Sequence, residues 1–588
     1  MDMIRLRGLG VSPGIAMGEA LLSERVVFTS RREPIAEHQV EEELKRIQRA
    51  IERTRQELKE LREHIRERIG DEQAFIFDAH LMILEDPLLL SQLERVIKEE
   101  KVRAEYAITR VNNYFQTLFD SLNDEYFQQR KTDVSDVLSR IYRNLERRKS
   151  KTEESDRPVV LVAHELLPSE IVINISRKKI TAVALDMGGQ TSHTAILARS
   201  LGIPAVVGLR NISHEVKNGD FIIVDGTAGE VIINPTPSVR REFQSKKEKY
   251  EAYQRQLKKI ARLKPRTLDG VGFKLLANIE LPDEVDLAFS FGAEGIGLFR
   301  SEFIYLQRRD LPSEEDHLAV YQKMARNTHP RPVYIRTIDI GGEKSLPQLN
   351  IVKEPNPALG LRAVRFSLRN RDMFRTQLRA ILKASVKKNV RLMVPMITEV
   401  EEVFELKSLL AELKAELRAE KIPFDENLPV GVMIEVPAAA ATIECIIKEV
   451  DYVSIGTNDL IQYCLAVDRG NESVAYLFKP HHPAVLRLIH QVIQTAVREG
   501  KEVTVCGEMA ADPLSAIILL GMGLRTLSMN PIFIPKVKKA LREVELKTAE
   551  QAVAEALKLR TAKEVEEFMI EAILRKHPQA FLMSQVVS

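Results

Sequence analysis

Cysteine is scarce: the 588 residues contain three, Cys445, Cys464 and Cys506. So small and odd a number excludes a disulfide-stapled framework and points to a reducing compartment. Cys445 and Cys464 read as ordinary buried thiols. No stretch reaches the ~18 consecutive apolar residues that a membrane-crossing helix needs, and Met1 to Gly14 lacks the apolar core of a secretory signal. Neither sign of charge is in excess: 86 Lys and Arg face 84 Asp and Glu, for a net charge of +2. That balance removes any general argument for nucleic acid or a membrane surface as partner. The chain reads as a cytoplasmic protein of three or four domains, with no membrane insertion.

Proline and glycine are nearly missing from one long region. Between Ile35 and Lys149 there is a single proline, Pro87, and a single glycine, Gly70. Leu44, Ile47, Ile51, Thr54, Leu58, Leu61 and Ile65 alternate spacings of three and four, a helical seam between charged faces. Further helices are predicted over 71–84, 87–98, 104–119 and 134–147, with Glu85-Asp86-Pro87 as a break. Residues 34–149 thus form a helical bundle. His80 with Asp71, Glu72, Glu85 and Asp86 makes a candidate acidic docking edge for a partner.

On either side the character changes to α/β. Short apolar runs at 158–163, 181–186, 205–207, 221–225 and 230–233 read as strands. Residues 1–33 are too few to bury a core alone and are expected to join the 150–236 domain, making the bundle an insertion. Residues 237–266 read as a charged linker helix. Residues 267–588 repeat a strand–helix unit, with eight candidate strands at 274–280, 295–300, 333–339, 391–397, 430–436, 452–457, 502–508 and 524–529. That fits a (β/α)8 barrel, with an open doubly wound sheet as the alternative.

Chemistry gathers at the C-terminal ends of barrel strands. Here those ends carry Arg300, Arg336, Glu435, Asn458, Asp459 and Cys506, with Lys344 and Arg469 in the following loops. Arg300, Arg336, Lys344 and Arg469 are cationic clamps for a small phosphate ester or carboxylate. Glu435 and Asp459 are hard oxygen ligands suited to one Mg²⁺, whose other positions stay with water and substrate. Asn458 can donate to a phosphate oxygen, and Cys506 sits where a proton is given or taken.

The second chemical stretch is Gly188-Gly189-Gln190-Thr191-Ser192-His193-Thr194-Ala195-Ile196-Leu197-Ala198-Arg199. A buried strand precedes it, the glycine pair breaks that strand, and Ala195, Ile196, Ala198 and Leu201 follow at helical spacing. His193 then lies at the first turn of a helix. The positive helix end disfavours imidazolium and welcomes an anion, while Thr191, Ser192 and Thr194 add hydroxyl donors. Such surroundings suit a histidine that accepts and holds a phosphoryl group.

That stretch resembles the phosphohistidine signature of the phosphoenolpyruvate (PEP)-utilising enzymes. Asp451-Tyr452-Val453-Ser454-Ile455-Gly456-Thr457-Asn458-Asp459-Leu460 is similar to their second signature. Gly297-Leu298-Phe299-Arg300-Ser301-Glu302 and Val505-Cys506-Gly507-Glu508-Met509-Ala510 match as well, so the resemblance spans nearly the whole chain. It implies that the barrel binds phosphoenolpyruvate and Mg²⁺ and that His193 attacks phosphorus through Nε2. By motif position, Arg300 and Arg336 hold the phosphate, Arg469 and Asn458 assist, Glu435 and Asp459 ligate the metal, and Cys506 protonates the enolate. It further implies transfer to a histidine of the phosphocarrier protein HPr docked on residues 34–149 and a homodimer built through the barrel. Because His193 must then visit two partners that one rigid arrangement cannot serve, a swivel of the His193 domain about the linker is expected. Dikinases and PEP synthases share these motifs but need a nucleotide-binding domain, and residues 1–150 contain no glycine-rich phosphate loop.

Overall fold

A computed structural model describes residues 3–23, 32–68, 71–120, 125–146, 158–166, 180–189, 195, 198–199, 202–306, 310–341, 354, 356–469, 471 and 473–576. The chain divides into two compact units, one running to Ala252 and the other starting at Tyr253. Among the described residues no helix is long and apolar enough to cross a membrane.

The first unit is built on an eight-stranded sheet ordered β1-β8-β7-β3-β4-β5-β6-β2. Its strands are β1 (Ile4–Arg7), β2 (Leu9–Ser12), β3 (Ile15–Leu22), β4 (Val159–Ala163), β5 (Ile180–Leu185), β6 (Ala205–Val207), β7 (Phe221–Asp225) and β8 (Glu230–Ile233). The first strands do not stand alone: β3 runs antiparallel to β7 and parallel to β4, and β1 pairs with β8. β4 is buried at every position, which is why Val-Val-Leu-Val-Ala reads as a continuous apolar run rather than an alternation.

Between β3 and β4 the chain makes five helices: α1 (Val40–Arg68), α2 (Asp71–Leu84), α3 (Pro87–Glu100), α4 (Ala104–Asp120) and α5 (Glu125–Glu146). They bury a core of their own, into which α1 sends Ile47, Ile51, Leu58 and Leu61. Asp86 caps α3 by accepting the Leu88 N–H at 2.8 Å, and Pro87 takes the first helical position, so the predicted break is a real helix start. α5 begins nine residues earlier than its apolar periodicity indicates. The pattern registers only the turns that bury Val134, Val137, Leu138 and Ile141, while the preceding Gln, Arg and Lys extend the helix through propensity.

The linker helix spans Pro237–Ala261. It stops five residues short of the predicted 266. Lys538, itself buried, donates to the carbonyls of Ala261 (2.8 Å), Leu263 (3.3 Å) and Gly292 (3.2 Å), satisfying the helix end and turning the chain.

In the second unit eight parallel strands close on themselves: β9 (Lys274–Ile279), β10 (Ile296–Arg300), β11 (Val333–Arg336), β12 (Val390–Val394), β13 (Val430–Ile434), β14 (Tyr452–Ile455), β15 (Glu502–Val505) and β16 (Thr526–Met529), with β16 paired to β9. Closure decides for the barrel over the open sheet. Leu276, Leu298, Tyr334, Met393, Met433 and Tyr452 fill its interior. Most strands end two or three residues earlier than predicted. The residues beyond them leave the ladder to form the rim of a cleft.

Candidate active site

At the C-terminal mouth of the barrel lies a cleft of about 220 Å³. Its lining includes Arg300, Arg336, Glu435, Asn458, Asp459, Arg469 and Cys506, so seven residues singled out from five strand ends and their loops converge on one space. Arg300 and Arg336 close β10 and β11, Glu435 follows β13, and Cys506 follows β15. Asn458 and Asp459 occupy the first turn of the helix Thr457–Leu465 after β14. Lys344, predicted to join them, lies outside the described residues.

The cations are not held alike. Arg336 is buried, with Nη2 donating to Glu302 Oε1 at 2.6 Å and Nη1 3.2 Å from Asp339 Oδ2. Burial opposes its charge, but Glu302, Asp339 and Glu435 outweigh burial and raise its pKa. Arg300 reaches out to Glu280 at 2.7 Å, and Arg469 to Glu508 at 3.2 Å, both with exposed carboxylates. Sequence reasoning missed a further cation in the cleft, Arg362. It donates to Asp339 at 3.1 and 3.2 Å, to Asp459 Oδ2 at 2.8 Å and to Tyr463 Oη at 3.0 Å. The residue after it, Ala363, carries φ +53°, a strained non-glycine backbone of the kind that persists where its surroundings impose it.

Glu435 is the focus of the negative side. It is buried, and its Oε1 accepts the N–H of Met396, a residue itself held at φ +61°. Gly456 leaves it room: a Cβ there would stand 2.5 Å from Glu435 Oε2. Burial, then Asp459 and Asp339, push the carboxyl up to about 8 against the opposing pull of Arg336 and Arg362. A carboxylate so short of compensating charge fits a cation, with Asp459 beside it as a second oxygen donor. Among the described residues no three His, Cys, Asp or Glu side chains group closely enough to hold a metal unaided. The pair therefore suits an ion that completes its shell with water or substrate oxygens.

Three stretches match domains of one family: residues 7–130 the N-terminal domain of PEP-utilising enzymes, 155–229 their mobile domain, and 254–546 their PEP-binding domain. The phosphoenolpyruvate-protein phosphotransferase of Geobacillus stearothermophilus is 42% identical over 565 residues, 96% of this chain and 97% of that protein. The phosphotransferase of Staphylococcus aureus (strain MSSA476) is 39% identical over 566 residues, covering 96% and 98%. The chain belongs to the phosphoenolpyruvate-protein phosphotransferases, a branch of the PEP-utilising enzymes. An Enzyme I protein solved by NMR in solution is 43% identical and superimposes with a TM-score of 0.36, covering 42% of this chain and 99% of that one.

Within the phosphohistidine signature, His193 with Thr191, Ser192 and Thr194 lies outside the described residues. Its flanks are described. Gly188 turns the chain out of β5 at φ +118°, and Ala195 and Ala198 are helical and buried against Leu185 and Ala163. At the C-terminal ends of β4 and β5 is a dyad the sequence did not flag: buried Asp186 stands 3.0 Å from Nδ1 of half-buried His164 and accepts the Ser213 N–H at 3.1 Å.

The docking edge needs correction. His80 is fully buried on the inner side of α2, 3.6 Å from Asp133 and edge-on to Phe77, so it faces the bundle core and not a partner. Glu85 and Asp86 are exposed, though Glu85 lies 3.3 Å from Arg55. Asp71 and Glu72 open α2, and their side chains lie outside the described residues. Cys445 is exposed rather than buried. His481, beside His482, spans Glu566 (2.9 Å) and Ser515 (2.8 Å) and ties helices together, a structural role.

Cys506 is buried at the cleft floor. Burial pushes its thiol up to about 11, opposed by Ser454 and the two arginines, so it stays protonated at neutral pH. Alkylation at Cys506 should therefore rise with pH well beyond the ordinary thiol range, with its midpoint near 11. Rates measured by mass spectrometry from pH 7 to 11 test this, and a plateau below pH 9 refutes it.

Proposed function

We propose that the chain transfers the phosphoryl group of phosphoenolpyruvate to its own His193 and then to a histidine of the phosphocarrier protein HPr. The observation that carries this reading is the meeting of Arg300, Arg336, Asn458 and Arg469 with Glu435 and Asp459 around one cleft of about 220 Å³. One side can neutralise a phosphate and a carboxylate. The other can hold a divalent cation, Mg²⁺ in this reading, which would draw charge off the phosphoryl oxygens.

His193 Nε2 attacks phosphorus, the N–P bond forms, and the P–O bond to the enol breaks. The enolate electrons then take a proton at carbon from the Cys506 thiol, which recovers one from solvent, leaving pyruvate. Positioning and charge neutralisation supply most of the acceleration in such a transfer. Arg336, fixed by two buried carboxylates, is suited to orienting the phosphate. The half-exposed Arg300 and Arg469 can close upon it, and Lys344 joins them in this reading. Thr191, Ser192 and Thr194 supply hydroxyl donors around the phosphorylated ring.

In the domain reading, residues 1–33 with 150–236 carry His193, 34–149 dock HPr, 237–266 link, and 267–588 bind PEP and form the homodimer. Exposed Met82 (62%) and Leu88 (47%) beside Glu85 and Asp86 support a docking face of mixed apolar and acidic character. A histidine that takes phosphorus at one place and gives it at another has to move with respect to the barrel.

Incubation with ³²P-labelled phosphoenolpyruvate and Mg²⁺, then with HPr, tests the whole reading. Acid-labile label should appear on His193 and move to HPr. No label, or label that HPr does not discharge, refutes it.

A further inference from the structure

The acidic partners of the cleft's arginines fall into two kinds. Glu302 and Asp339, which hold Arg336, are buried, and their ion pairs are part of the fold. Glu508, which holds Arg469, has a side chain 76% exposed. It stands at the rim, two residues after Cys506, and nothing in the sequence reading gave it a role beyond its place in a motif.

Its contacts are specific. The single oxygen Oε1 accepts from Asn458 Nδ2 at 3.0 Å and from Arg469 Nη1 at 3.2 Å. The backbone N–H of Glu508 donates to Asn458 Oδ1 at 2.9 Å, which turns the amide so that its NH₂ faces the same oxygen. Two donors from separate elements thus converge on one anionic oxygen. They are the same two donors the proposed function assigns to the substrate.

We infer that Glu508 is a built-in counter-anion: its carboxylate fills the Asn458–Arg469 arm of the cleft until phosphoenolpyruvate displaces it. Glu508 is then a positioning residue that sets substrate affinity, and the inference rests on the reading of the cleft as the phosphoenolpyruvate site. The plug is easily displaced because an ion pair this exposed is weak in water. A substrate bearing both phosphate and carboxylate brings more charge than the one it replaces. Asn458 does not lose its orientation when the side chain leaves, because the N–H that orients it belongs to the backbone and survives substitution.

The test measures the Kd of ¹⁴C-labelled phosphoenolpyruvate by equilibrium dialysis with Mg²⁺, on the full chain in a His193→Ala background so that no phosphorus moves. Glu508→Ala should tighten binding about two- to five-fold, the range expected for releasing an exposed pair. Glu508→Gln, which keeps an acceptor and drops the charge, should shift in the same direction. Acetate, a carboxylate able to refill the vacated arm, should weaken binding in Glu508→Ala and leave the Glu508 chain unchanged. A purely structural role would show no such selective effect. Unchanged or weaker binding in both variants overturns the inference, as does an acetate effect equal in variant and parent. If the His193→Ala parent binds no phosphoenolpyruvate at all, the functional reading itself falls.

Discussion

His193→Ala will take up no phosphorus from phosphoenolpyruvate, a loss of about 10⁴-fold or more in rate, yet will bind phosphoenolpyruvate within about two-fold of the parent chain. The size of the first effect follows from deleting the atom that forms the new bond. No orienting residue can substitute for a missing nucleophile. The second effect follows from the division of labour along the chain. Every described residue lining the cleft lies between Leu298 and Gly507, in the compact unit that starts at Tyr253, whereas position 193 belongs to the other unit. On the proposed function, binding charge and nucleophile are separately encoded, so one can be removed without the other. Phosphopeptide mapping and equilibrium dialysis on the same preparation check both halves. Label persisting in the variant, or mapped to His164, whose ring Asp186 orients at the end of β4, would sink the assignment of the carrier.

How much of this was legible beforehand depended on whether the signal was local. All eight barrel strands were visible because parallel strands buried on both faces are short segments rich in apolar and β-branched residues, even where Ser or Thr interrupts them as in β14 to β16. Their ends were not. Ile338 and Met396-Ile397 prolong the apolar character past Arg336 and Pro395, and Glu435 follows Val430–Ile434 directly, so only the structure shows where the chain leaves the ladder to build a rim. Arg362 was invisible for another reason. It sits in a loop with no periodicity, and its partners Asp339 and Asp459 are 23 and 97 residues away. His80 was misread because the last ten residues of α2, Phe75-Ile76-Phe77-Asp78-Ala79-His80-Leu81-Met82-Ile83-Leu84, are apolar around most of the circumference. A helix without a clear polar face does not announce which side turns inward. Buried Leu81 and exposed Met82 are neighbours in sequence, and only packing separates them.

The carboxylate at the cleft floor yields the second large effect, and it has two opposite signs. Glu435→Gln should lower the rate of phosphorylation about 10³-fold at fixed Mg²⁺, because a neutral amide replaces one of two anionic oxygen donors where charge must be neutralised. The same change should stabilise the metal-free chain at alkaline pH. Burial with Asp459 and Asp339 raises the Glu435 pKa from 4.5 to about 8, so the folded state holds a proton that the unfolded state has lost. Where the folded state binds more protons, stability falls as pH rises. Glu435 therefore contributes its full stability below pH 4.5 and loses it progressively up to about 8, beyond which a buried charge is left undercompensated. Metal-free wild type should show a falling thermal midpoint across that window, and the Gln variant a flatter one. Adding Mg²⁺ at pH 8 should recover the wild type by supplying the missing positive charge, and should do little for the variant. A variant that is catalytically crippled yet more robust than its parent without metal is the signature of a carboxylate kept for a cation, at a cost to the fold. Equal midpoints at pH 8, or a Mg²⁺ response that survives Glu435→Gln, would place the cation elsewhere.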